Sequence, residues 1–363
     1  MQLARAGAQV WLAERSAWPR EKTCGDGVSP LGVREGNALS MHFEGRLRLE
    51  SALVSTPHER SFRGGWPRAT PWGTTIERRT FDAQIVDAAV AAGAEFLPET
   101  QVRAVESEAR GVTAVLESHG TQRSLRADVA VIGEGATGSL ASKLGFAPYR
   151  SRLVAIRGYV DAAAPLVPEY GLFYDKIVTP GYGWLFPMDA RRANVGICVD
   201  ERTLARRGGN LRGLLDRWLA ESRFARELLG ESPRLDGVKG GIIPTGRART
   251  KPRIFLVGDA AGVADPFTAE GIYQAIHSAR LAASALAESK DLAEAATRYE
   301  RHAALFDRNE GAARWLRATF GPSIEICANR AEKNPSFGDY LNTAVFFSKN
   351  SMSSFVLGLL RNW

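Results

Sequence analysis

Short apolar runs rich in β-branched residues alternate along this chain with stretches of helical periodicity, a pattern that predicts strands packed between helices. Residues 254–258 form one such run. It ends on Gly258-Asp259, so a buried strand is expected to stop with an acidic side chain at its tip. A turn-rich stretch containing Pro266 follows. Apolar spacing through Ile272, Ala275, Ile276 and Leu281 then predicts a helix that starts near Glu270. Open α/β sheets bind ligands at such carboxyl ends of strands. Asp259 can accept hydrogen bonds from a sugar or ribityl hydroxyl there, and the free N–H groups opening the next helix favour an anionic group.

Residues 8–13 predict a second buried strand, tipped by Glu14, after a helix tail over 1–6 that Gly7 closes. A strand tipped by an acid after a helix is the second half of a dinucleotide-binding βαβ unit. The carboxylate holds a ribose there, and a glycine fingerprint lies about 20 residues upstream. No Gly-x-Gly-x-x-Gly stands in that context, so the first strand and its phosphate turn are expected to be missing and dinucleotide binding to be weak.

Residues 81–93 predict an amphipathic helix with a glycine stop, and 102–105, 112–116 and 129–132 predict strands. The last of these leads through Gly133-Glu134-Gly135 into a short helix ending at Gly145. From 153 to 199 the pattern alternates with period two, which predicts a separate antiparallel sheet. Residues 211–229 are expected to be helical, and the chain returns to the first unit at 254. From 281 onward it reads as helix, broken at Gly321-Pro322 and Asn334-Pro335. The expected fold class is α/β: a Rossmann-like cofactor domain lacking its first strand (1–150 and 250–290), an inserted mainly antiparallel β substrate domain (151–249) and a helical C-terminal region (291–363). Residues 8–13, 129–132 and 254–258 should share one sheet, with Glu14 and Asp259 at the same edge.

Composition changes this picture little. A 363-residue chain that is 45% hydrophobic and 24% charged can bury two cores. Its three cysteines, Cys24, Cys198 and Cys327, are far apart and lack ligand spacing, so no disulfide framework and no metal site is expected. The net charge of +7 comes without the aromatic-basic clustering of nucleic-acid modules. It suits an acidic cofactor, an anionic substrate or an anionic membrane face. With no secretory signal and no 18-residue apolar run, a cytoplasmic protein is expected, peripheral to a membrane under one of two readings of its end: residues 344–363 are too short and too polar to span a bilayer, and read either as an ordinary terminal helix or as an interfacial segment with Arg361 and Trp363 at headgroup depth.

Three segments together resemble the geranylgeranyl reductase family of FAD-dependent oxidoreductases, which are built like aromatic hydroxylases. The first is Pro19-Arg20-Glu21-Lys22-Thr23-Cys24-Gly25-Asp26-Gly27. The second is Pro180-Gly181-Tyr182-Gly183-Trp184-Leu185-Phe186-Pro187, and the third is the Gly258-Asp259 segment. The resemblance covers roughly residues 1–290 and implies FAD as cofactor, with NAD(P)H or another reductant as electron donor. It makes Glu14 the ribose-binding acid, sets Cys24, Gly25 and Gly27 along the flavin, and gives Arg78 a part in holding the cofactor. It puts a backbone group of Val102 near the adenine, makes Asp259 the ribityl acid, and sets Gly271 and Ile272 under the flavin pyrimidine. Tyr182, Trp184 and Phe186 become the lining of a substrate cavity. Departures are Gly133-Glu134-Gly135 in place of Ala-Asp-Gly, Gly138 in place of a serine, and Ala269 in place of a glycine.

The residues themselves leave alternatives open. Arg78 can cap a helix rather than touch a cofactor, and the three aromatics can be core. Cys24 can be structural or chemical. The implied reaction is hydride transfer to one carbon of a C=C bond in an isoprenoid or quinone-like small molecule. Cys24 or Tyr182 is the candidate donor of the accompanying proton. A flavin monooxygenase or halogenase of the same fold is the alternative.

Overall fold

The computed structural model describes residues 1–66, 72–231, 233–307 and 323–347. Two parallel strand pairs build the side that the sequence expects to hold a cofactor. Trp11–Ala13 pairs with Glu95–Leu97, which follows helix Arg78–Ala91. Ala130–Ile132 pairs with Ile254–Leu256, whose other edge carries Thr250–Lys251 antiparallel. The apolar run at 254–256 is fully buried, as its composition demands. Helices Ile272–Glu288 and Leu292–Asp307 cover it through Ala282, Ala285, Ala295 and Tyr299, and the Tyr299 hydroxyl donates to the Leu256 carbonyl at 2.7 Å.

The expectation of one sheet needs correction. The two parallel pairs share no hydrogen-bonded strand among the described residues. A ladder forms only where a neighbour lies about 4.8 Å away, and both Trp11–Ala13 and Ala130–Ile132 are paired on one edge alone. Burial follows the pairing: Trp11, Leu12 and Ala13 are half-buried, and Val131 is 42% exposed.

The second layer is a seven-stranded sheet in the order Asp236–Thr245, Ser151–Asp161, Arg192–Asp200, Tyr182–Pro187, Tyr170–Phe173, Ser51–Ser55, Ser61–Gly65. It extends beyond the expected 151–249. Ser51–Ser55 enters from the first part of the chain by parallel pairing with Tyr170–Phe173, and Ser61–Gly65 follows as its antiparallel partner. One face packs on helices Leu211–Glu221 and Arg223–Leu229 through Leu215, Trp218 and Phe224. The opposite face, which carries Trp184, meets Ile324, Ala328 and Ala331 of a helix over 323–333 and Phe337 and Leu341 of helix Pro335–Phe347. Asn342 fixes this contact by donating to the carbonyls of Ala52 and Gly64 at 3.0 and 2.7 Å.

A three-stranded meander, Gln101–Glu108, Gly111–Ser118 and Thr121–Ala127, packs beside Ile132 and Leu256. Asn334 separates the helix over 323–333 from helix Pro335–Phe347, as expected. The Gly321-Pro322 break and the interfacial reading of 344–363 lie outside the described residues, apart from the backbone of 344–347. Among the described residues no helix is long and apolar enough to cross a membrane.

Candidate functional site

The segment 19–27 connects the two layers. At one end Arg20 donates to Glu14 at 3.0 Å and to Asp82 at 2.6 Å. Two residues on, Lys22 pairs with Asp259 at 2.9 Å. The acids tipping the two parallel pairs therefore flank one short stretch of backbone, even though the pairs are separate sheets. At the other end, the Gly25 and Gly27 backbones lie on the aromatic strand. A methyl group at Gly25 would stand 3.2 Å from the Trp184 indole, and one at Gly27 would stand 2.9 Å from the Phe186 ring. Only glycine allows so close an approach.

Tyr182, Trp184 and Phe186 share one face of their strand, as period-two alternation requires, with successive ring centroids 6.2 Å apart. Trp184 is anchored by its indole N–H, which donates to Asn194 Oδ1 at 2.9 Å. The Asn194 amide in turn donates to the Cys24 carbonyl and to Asp26 Oδ2, at 3.1 and 2.9 Å. Asp26 is fully buried with φ 59° and also accepts from the Tyr159 hydroxyl at 2.7 Å. Burial pushes its carboxyl up, against the pull of Tyr159 and Asn194. This Asp26–Asn194–Tyr159 junction, which locks the 24–27 turn to the aromatic strand, was not singled out from sequence. Its one visible signal is the acid between Gly25 and Gly27.

Arg78 opens helix Arg78–Ala91 and makes a two-pronged ion pair with Asp82, at 2.7 and 2.9 Å. Burial works against the Arg78 charge, but the Asp82 carboxylate outweighs it and keeps the guanidinium protonated. Arg78 and Cys24 also act on each other's charge. The Cys24 thiol is pushed up by burial and only partly drawn back by that guanidinium, so it stays a thiol at neutral pH. The Tyr182 hydroxyl donates to the Thr268 carbonyl at 2.5 Å, and burial raises its pKa well above the ordinary value.

Asp259 lies in a turn of 3-10 helix, Gly258–Ala261, beyond the strand end. Helix Ile272–Glu288 begins after Gly271, and no side chain caps its first turn. A methyl on Gly271 would be 3.6 Å from Asp259 Oδ1, so the acid and the uncapped helix start adjoin. Ala269 adopts φ 59°, a conformation that glycine takes more readily. Val102 sits apart from these groups. It lies on the meander at a β-bulge between Val102 and Ala104, where the ladder breaks and main-chain groups are freed.

These residues fit a flavin dinucleotide in part. Glu14 and Asp259 each hold spare acceptor sites beside their basic partners, and the uncapped helix start offers N–H donors to a carbonyl or anion. The literal Gly-x-Gly-x-x-Gly at 133–138 is no phosphate cradle. The Glu134 carboxylate fills it by accepting from Leu140 and Ala141 N–H at 2.8 and 2.7 Å. Among the described residues no group of His, Cys, Asp and Glu could hold a metal ion.

No family model matches the chain. Menaquinone reductase of Mycobacterium tuberculosis is 30% identical over 314 residues, which is 80% of this chain and 73% of that protein. The digeranylgeranylglycerophospholipid reductase of Methanoculleus marisnigri is 29% identical, over 77% of this chain and 71% of its own length. Among solved structures, a geranylgeranyl bacteriochlorophyll reductase-like protein from Thermoplasma acidophilum superposes with a TM-score of 0.77. It is 22% identical and covers 87% of this chain and 83% of its own. Flavin-dependent halogenases share the same fold. The coverage and identity of the first relative, together with the 19–27 turn seated on the Tyr182–Phe186 row, make the chain a member of the geranylgeranyl reductase family of FAD-dependent oxidoreductases.

Proposed function

We propose that this protein reduces C=C bonds in the isoprenoid chain of a lipid, with FAD as redox cofactor and a reduced nicotinamide or equivalent donor as the source of electrons. The observation that carries the reading is the double contact of one turn: Lys22 on Asp259 and Gly25 on Trp184. It sets a redox-cofactor edge against an aromatic wall suited to an apolar chain. Bound FAD supplies the hydride. Glu14 would take a ribose and Asp259 the ribityl chain, while the N–H groups at the start of helix Ile272–Glu288 would favour negative charge at the pyrimidine end. Tyr182, Trp184 and Phe186 would hold the chain against that edge and keep water out. The names of the two relatives, which both refer to molecules bearing isoprenoid chains, support this substrate class over oxygenation or halogenation.

The expected result is that anaerobically reduced FAD-loaded protein is reoxidised when a geranylgeranyl lipid is added and not when the saturated lipid is added. Flavin absorbance follows this directly. Reoxidation by oxygen alone, with the lipid inert, contradicts the reading.

The same reading places the protein at a membrane surface, where such a lipid resides, and the net charge of +7 supports attraction to an anionic face. Co-sedimentation with anionic vesicles should exceed that with neutral vesicles and weaken as salt rises. Equal pelleting with both contradicts the surface assignment.

A further inference from the structure

The turn that joins the cofactor edge to the aromatic wall carries an acid that the assignments above leave unused. Residues 265–270 are closed by Asp265 N–H donating to the Glu270 carbonyl at 2.8 Å and Ala269 N–H to the Asp265 carbonyl at 3.0 Å. The turn is tied to the wall by Tyr182 through the Thr268 carbonyl, and Phe267 and Ala269 pack in the same apolar cluster as Trp184. It then runs directly into Gly271 and the uncapped helix start. Glu270 stands at this joint. Its Oε2 accepts from Gln274 Nε2 at 3.3 Å, whereas its Oε1 is shielded from solvent and no donor meets it in hydrogen-bond geometry among the described residues, the Ser29 hydroxyl only pulling on the carboxyl as a whole. A sheltered carboxylate oxygen without a donor is costly, while a carboxylic acid at the same place is cheaper and has a proton to give.

We propose that Glu270 is the acid that protonates the alkene carbon opposite the one receiving hydride, an assignment that rests on the reductase reading above. The Glu270 O–H bond breaks as a C–H bond forms at that carbon. The electron pair for the other new C–H bond arrives with the hydride of reduced FAD. The carboxylate left behind regains its proton from solvent, and the external two-electron donor restores the flavin. The first turn of helix Ile272–Glu288 favours the anion formed at this moment.

The surroundings suit this role. Burial raises the Glu270 carboxyl to about 7, with the Asp265 carboxylate adding to the rise and Ser29 and Gln274 holding it down. Tyr170 and Tyr182 face it from the sheet, both held neutral by burial. Tyr273 faces it from its own helix, and the charges of Glu35, Arg34 and Arg280 act on that tyrosine as well. Lys22 and Asp259 nearby are committed to each other. The two candidates drawn from sequence are less suited. The Tyr182 proton is already donated to Thr268, and burial raises the Cys24 thiol above its ordinary range, so it yields its proton less readily than Glu270.

The test uses FAD-loaded protein, anaerobically reduced, with a geranylgeranyl lipid as probe. Glu270→Gln should slow single-turnover flavin reoxidation by about 100-fold or more without a matching loss of FAD or lipid affinity. The wild-type rate should fall as pH rises through about 7, and that limb should vanish in Glu270→Gln. Glu270→Asp should recover part of the rate. Isotope-edited infrared titration of the substrate-free holoprotein should show a carboxyl that deprotonates near the same pH and is missing in Glu270→Gln. A Glu270→Gln rate equal to wild type overturns the assignment, as does loss of FAD binding in step with the rate. A titration in the ordinary carboxylate range overturns Glu270 alone. A wild-type enzyme inert toward the lipid overturns the substrate reading, and with it the destination of the proton.

Discussion

Arg78→Ala is expected to destabilise the protein by about 3 kcal/mol, the lower end of what removing one partner of a buried ion pair costs. Asp82 would lose both prongs of its fork but keep the bond from Arg20, which is why the larger values are not expected. The damage should spread along the chain Arg78–Asp82–Arg20–Glu14, because Asp82 accepts from both arginines and Arg20 also holds Glu14. FAD affinity should therefore fall together with stability, although Arg78 need not touch the cofactor. Denaturant titration of wild type, Arg78→Ala and Arg78→Lys measures the first effect, and flavin fluorescence titration the second. An Arg78→Ala protein of unchanged stability that has lost FAD would instead make Arg78 a direct ligand.

Trp184→Ala should cost about 3–5 kcal/mol, the usual price of truncating a buried large aromatic side chain. It also leaves Asn194 Oδ1 without its donor beside the buried Asp26. Trp184→Phe separates packing from wall chemistry. It keeps a ring against Gly25 but loses the indole N–H, so its stability loss should be about 1 kcal/mol. If the aromatic row lines the substrate cavity, Trp184→Phe will lower turnover of the prenyl lipid more than it lowers FAD affinity, as measured by steady-state kinetics beside fluorescence titration. Equal losses in both would make the row core packing alone.

What could be read from the sequence was local. The apolar runs at 129–132 and 254–258 read as strands of one sheet because β-branched residues in short runs favour buried strands, and the structure pairs Ala130–Ile132 with Ile254–Leu256 in parallel. The period-two alternation at 182–187 put three aromatics on one face, where the structure has them. The acids Glu14 and Asp259 stood out because each ends such a run. What was not legible depended on distant pairing. Ser51–Ser55 joins Tyr170–Phe173 across more than a hundred residues, and nothing within 51–55 signals that partner. Residues 8–13 read as a buried strand, but burial is a property of neighbours, and among the described residues one edge of Trp11–Ala13 is unpaired. The Asp26 junction escaped notice for a similar reason: Tyr159 and Asn194 are ordinary strand residues until the sheet brings them over the 24–27 turn. Glu270 looked like a helix-start residue, and only the packing of the 265–270 turn against Tyr182 gives its carboxyl a sheltered oxygen.

The central claim is that a carbon–carbon double bond is saturated without oxygen. The most direct measurement is mass spectrometry of a geranylgeranyl lipid after anaerobic single turnover by the reduced FAD-loaded protein in deuterated water. The account predicts a product that has gained a hydrogen at each alkene carbon, with solvent deuterium at the carbon protonated by the enzyme and no added oxygen or halogen. A product that forms only in air, or that carries a new hydroxyl or halogen, would contradict it.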